Sequence, residues 1–211
     1  MKNYFILLFL ITTHLTYGQI KNGDFEMWDT VFINSYSANL NSIFGVTDPY
    51  GGNVKNWTMI GTYGISRTTD SYSGNYSLIL HNWYNYVNQS IVYKDTLSFR
   101  PQNLQGFFKY ITGGTDGLSQ GNARVTLTRF NGTSNDTIAD GMYLFDSTSA
   151  FTPFHLDFNY ISSLTPDSIH ITLVNSNKAC MNNVVCHLLY LDDLTLTNVS
   201  VSEKRPYAVN E

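Results

Sequence analysis

The 211-residue chain predicts an all-β fold, a two-sheet antiparallel β-sandwich. Three observations carry that prediction. Apolar residues recur at every second position in short runs, no sustained 3.6-residue period appears, and turn-forming clusters separate the runs. Composition agrees: aromatics make up 15% and charged residues 13%, the balance of Tyr-, Thr- and Asn-rich extracellular β-structure.

Residues 1–18 read as a secretory leader. Lys2 supplies the basic start, Tyr4 to Ile11 the apolar segment, and Thr16 and Gly18 stand before an expected cut ahead of Gln19. The apolar run is too short for a bilayer span, which takes roughly 20 residues. No cysteine lies near the cut to take a lipid. A protein secreted or held at the cell surface is expected. Residues 19–198 form one β-sandwich domain, and the polar stretch 199–211, with Pro206, reads as a tail or linker.

Within the domain the runs follow in order. In "LQGFFKY", Leu104, Gly106, Phe108 and Tyr110 share one face, and Gln105, Phe107 and Lys109 the other. "ARVTLTRF" sets Val125 and Leu127 against Thr126 and Thr128. "FHLDFNY" alternates Phe154, Leu156, Phe158 and Tyr160 with His155, Asp157 and Asn159. "SIHITLV" opposes Ile169, Ile171 and Leu173 to His170 and Thr172, with His155 and His170 expected on adjacent strands. "HLLYLDDLTL" closes the fold. The turns are "DPYGGN", "TDSYSGN", "TGGTDG", "FNGTSND" and "LTPDS".

A formal charge of −4 without a basic stripe excludes a nucleic-acid partner. Cys180 and Cys186 bracket "CMNNVVC". Export makes a disulfide between them the expected state, worth about 2.4 kcal/mol of loop entropy, with two buried thiols as the alternative.

"NGDFEMWD", "VKNW", "SYSGNYSLIL" and "LYLDDLTL" resemble, in their order and spacing, secreted galactose-binding-like jelly rolls, a group that includes many carbohydrate-binding modules. "RPQNLQGFFKY" and "PDSIHITL" are similar to a subgroup of carbohydrate-metabolism domains of secreted bacterial proteins. The resemblance covers residues 19–198 and implies that the first and last strands run side by side. It also implies a structural calcium ion at their junction, held by Glu26 and Asp192, with Asp193 turned to a neighbouring loop. Two carboxylates meeting there would repel without a cation, and calcium takes six to eight hard oxygens. The alternative is a pair of exposed edge carboxylates. The resemblance also places Trp57 in the core.

Glycans are bound by aromatic faces set among amide and hydroxyl groups. "HNWYNYVNQ" has that chemistry, so Trp83, Tyr84, Tyr86 and His81 are the expected ligand-binding residues; the alternative is inward packing. Lys109, Arg124 and Arg129 read as a solvated sheet face. No catalytic residue is assigned. "GLSQG" matches a nucleophile elbow, but Ser119 lies between strands rather than before a helix. Asp140 and Asp146 are the least badly placed carboxylate pair, and no histidine spacing supports zinc. A non-catalytic glycan-binding domain is expected, with a structural or adhesive surface domain without a sugar ligand, or a carbohydrate-active enzyme, as the alternatives.

Overall fold

The computed structural model describes residues 16–32, 50–60, 64–82, 89–112, 120–176 and 187–198. The strands are β1 (Thr16–Gln19), β2 (Trp28–Phe32), β3 (Tyr50–Val54), β4 (Thr58–Ile60), β5 (Ile65–Thr68), β6 (Ser77–Asn82) and β7 (Ser90–Thr96). They continue as β8 (Asn103–Thr112), β9 (Gly121–Phe130), β10 (Asn135–Phe145), β11 (Thr148–Asp157), β12 (Asn159–Tyr160), β13 (Ser168–Val174) and β14 (His187–Asn198). Every described element is a strand, and all the described pairings are antiparallel.

The first sheet has the order β11-β8-β14-β6-β5-β3-β2, with β1 also on β14; the second has the order β12-β10-β9-β13-β7-β4. Their inner faces make the core. Leu104, Phe108 and Tyr110 from β8 meet Val125 and Leu127 from β9 and Ile169, Ile171 and Leu173 from β13. These are the alternating positions the sequence marks, and their partners Thr126, His170 and Thr172 face outward. Trp57 packs between Phe25 and Tyr93 at ring separations of 5.4 and 5.1 Å, so it is a core residue.

The run Phe154–Tyr160 keeps its alternation while changing sheets. β11 ends at Asp157 in the first sheet, Phe158 donates its N–H to the Gln102 carbonyl, and β12 joins β10 in the second. His155 therefore lies on the outer face of the first sheet. His170 lies on the outer face of the second, so the two histidines are not neighbours on adjacent strands as expected.

The last strand changes partners along its length. His187–Leu191 pairs with β6, and Thr195–Asn198 pairs with β1. Between them the ladder to β8 slips at Asp192 and Asp193, where Asp193 has φ 51°. First and last strands do run side by side, but β1 contains Thr16 to Gly18, residues assigned from sequence to the leader.

Candidate functional site

The turn after β1 explains the "NGDFE" run. Asn22 folds it: its Nδ2 donates to the carbonyls of Met27 and Lys55, and its Oδ1 accepts the Met27 N–H. Gly23 is required by a close approach, because a Cβ there would collide with the Leu194 carbonyl, and Leu194 N–H donates to the Gly23 carbonyl at 2.9 Å. Phe25 accepts a positive φ of 53°, a strained state that its complete burial against Trp57 offsets. The turn thus fastens the chain's opening segment to its closing strand and projects Glu26 outward.

Glu26 reaches the loop of residues 70–76, "DSYSGNY". Its Oε1 accepts the N–H groups of Asn75 at 2.6 Å and Tyr76 at 2.9 Å. Asp192 reaches the same loop from the slip in β14. Its Oδ2 accepts the N–H groups of Tyr72 at 2.8 Å and Ser73 at 3.1 Å, and its Oδ1 accepts that of Asp193 at 2.9 Å. Asp193 accepts Ser73 Oγ–H at 3.1 Å. Asp70 forms an ion pair with Lys109 from β8. One short loop is therefore gripped from three directions.

The expected calcium ligands meet at this loop. The two carboxylates converge on one loop, but five backbone N–H groups point at their oxygens and supply the positive potential a cation would. Among the described residues no three His, Cys, Asp or Glu side chains are grouped to hold a metal. As arranged, both carboxylates already accept N–H groups, and a calcium ion there would need backbone carbonyls to complete its six to eight oxygens. Burial pushes the Asp192 carboxyl up to about 6; the neighbouring Asp193 charge adds to the rise and the backbone N–H groups oppose it.

The loop lays Tyr72 on the outer face of the first sheet. Its ring stacks on Phe107 at 3.4 Å and 11°, and the residue remains 48% exposed. Phe107, Gln105, Pro153, His155, Asp193 and Thr195 border an open hollow of about 410 Å³. Cross-strand pairing puts these side chains on one face: Phe107 opposes Pro153, and Gln105 opposes both His155 and Thr195. Below the hollow the same face is dry, with Ile79, Leu188 and Tyr190 buried and Ile111 and Phe151 packed on them. Lys109 is buried here, its Nζ 4.0 Å from the Tyr190 ring centroid, and is not the solvated cation expected.

Of the expected ligand-binding residues, Trp83, Tyr84 and Tyr86 lie outside the described residues, as do Cys180, Cys186 and Ser119. His81 is described, and the structure corrects its assignment. It sits on β6, flanked by β5 and β14, and is 1% exposed. Its Nε2 lies 3.4 Å from Ser66 Oγ, and burial lowers its pKa to about 4. A ring so enclosed has no surface for a sugar. Asp140 lies mid-way along β10 and Asp146 just past its end, six residues on and about 20 Å at strand rise, beyond the separation of a glycosidase pair.

No family model matches the chain, and no curated protein matches it. Solved structures do. A candidate glycoside hydrolase of Bacteroides thetaiotaomicron aligns with TM-score 0.53 and 12% identity, over 82% of this chain and 69% of that one. What the two share is the fold. The xylan-binding domain CBM22-1 of Paenibacillus barcinonensis Xyn10C aligns at TM-score 0.42 and 12% identity, over 71% of this chain and 89% of that one. The module TmCBM61, solved with β-1,4-galactotriose, aligns at 0.40 and 10%, over 67% and 88%.

Proposed function

We propose that this protein is a glycan-binding β-sandwich module that holds its ligand on the outer face of the first sheet. The observation that carries the reading is Tyr72. One ring face lies flat on Phe107, itself a lining residue of the 410 Å³ hollow, and about half of the tyrosine remains open to solvent. A pyranose ring stacks its C–H face on such a surface, and a tyrosine already fixed by stacking loses little side-chain entropy when it binds. Gln105, His155 and Thr195 then offer donors and acceptors to sugar hydroxyls along the hollow.

The reading is non-catalytic. Asp192 has the raised pKa that an acid catalyst needs, but it is fully buried and accepts three N–H groups, so it fastens the loop instead. The expected leader would deliver such a module to polysaccharides outside the cell.

Affinity electrophoresis in gels containing β-1,4-galactan or xylan tests the proposal. Wild type is retarded, Tyr72→Ala loses the retardation, and Met142→Ala, exposed on the second sheet, keeps it. Retardation that survives Tyr72→Ala but fails with Trp83→Ala would move the site to residues 81–89. Failure across a broad glycan panel would favour a structural or adhesive domain.

A further inference from the structure

We infer that the hollow beside Tyr72 accepts uncharged glycans and rejects those bearing carboxylate or sulfate groups. This rests on the glycan-binding reading above. The polar rim is acidic. Asp193 lines the hollow with Ser73 Oγ–H donating to it, and Asp157, which lines a second hollow, lies 2.9 Å from Nε2 of the lining residue His155 with 82% of its side chain exposed. Among the described residues lining the hollow none is lysine or arginine.

The cations near this face are already committed. Lys109 lies on the same face of β8 as Phe107, but its ammonium is buried, paired with Asp70 and set over the Tyr190 ring. Arg100 lines the second hollow, of about 340 Å³, together with Asp157, and is not among the residues lining the first. Its guanidinium donates to the carbonyls of Ser162 and Leu164, both at 2.6 Å, and lies 3.6 Å from the Tyr160 ring centroid. The charge of Lys109 is offset by Asp70, and Arg100 keeps its charge but lies outside the lining of the hollow, with Nη1 and Nη2 donating to carbonyls.

The same two carboxylates act oppositely on the two ligand classes. A sugar hydroxyl donates to Asp157 or Asp193 and gains a charge-assisted hydrogen bond. A uronate or sulfate meets the like charge of Asp193 in the hollow and of Asp157 behind His155, with no lysine or arginine among the described residues lining the hollow. At low salt that repulsion amounts to about tenfold in affinity, ~1.4 kcal/mol, and it shrinks as ions screen it.

The test uses glycans matched except for charge: methyl-esterified against saponified homogalacturonan, and glucuronoxylan before and after removal of its uronic acid. Calorimetric titration of the full chain at low and high salt should show the neutral member binding about tenfold more tightly. The gap should narrow at high salt, and also in Asp157→Asn and Asp193→Asn at low salt. Asparagine tolerates the positive φ of residue 193, and should that variant fail to fold, the exposed Asp157→Asn carries the test alone. Equal or tighter binding of the acidic members would overturn the selectivity while leaving glycan binding intact. Binding to no member, charged or neutral, would overturn both.

Discussion

Gly74→Ala probes the grip on the 70–76 loop at its tightest point. Gly74 has φ 62°, and a Cβ there would collide with Glu26 Oε1, the oxygen that accepts the N–H groups of Asn75 and Tyr76. Alanine in the left-handed region costs about 1 kcal/mol. Displacing Glu26 loses two charge-assisted hydrogen bonds, about 1 kcal/mol each at this half-exposed position. The sum, ~3 kcal/mol, lowers Tm by roughly 6–12 °C for a domain of this size. Urea melts of wild type, Gly74→Ala, Glu26→Ala and the double variant separate the parts. Once Glu26 is truncated there is nothing left to displace, so Gly74→Ala then costs only its backbone strain, and the cycle yields a coupling of about 2 kcal/mol. Additive costs, with coupling within ~0.5 kcal/mol, would refute the clamp.

Three further outcomes follow from the same geometry. Asp192 has its carboxyl raised from 3.8 to about 6 by burial, so its contribution is fully present below 3.8 and is lost as pH rises through 6, on the order of 3 kcal/mol. His81 is lowered from 6.5 to about 4 by burial, so its contribution is present above 6.5 and is lost as pH falls through 4, also on the order of 3 kcal/mol. The two oppose each other between pH 4 and 6; urea midpoints of Asp192→Asn should fall more steeply on acidification than wild type, and those of His81→Gln should rise. Calcium and EGTA should each leave Tm within about 1 °C, whereas a site filled at 100 times its Kd would add about 2.7 kcal/mol.

The strands were legible where one face is dry and the other wet. Val125 and Leu127, or Ile169 and Ile171, repeat at period two because the outer face of the second sheet is polar. The pattern failed at β6, where Ser77 to Asn82 are all buried, because the strand is internal to its sheet and both of its faces are covered. His81 then read as a ligand-binding residue instead of a core histidine. Tyr72 was invisible for another reason. Turn chemistry accounts fully for "DSYSGN", and nothing local reveals that the loop falls on Phe107, 35 positions away in the chain. Phe107 itself carried a signal, an aromatic on the face opposite Phe108. Glu26 and Asp192 were legible as partners at one junction; that N–H groups would face them depends on the path of the intervening loop.

Chemical-shift mapping tests the central claim most directly. On titration of isotope-labelled protein with a retained oligosaccharide, the account predicts shifts at Tyr72, Ser73, Gln105, Phe107, His155 and Thr195. Shifts confined to the outer face of the second sheet, around Arg124, His170 and Thr172, would contradict it.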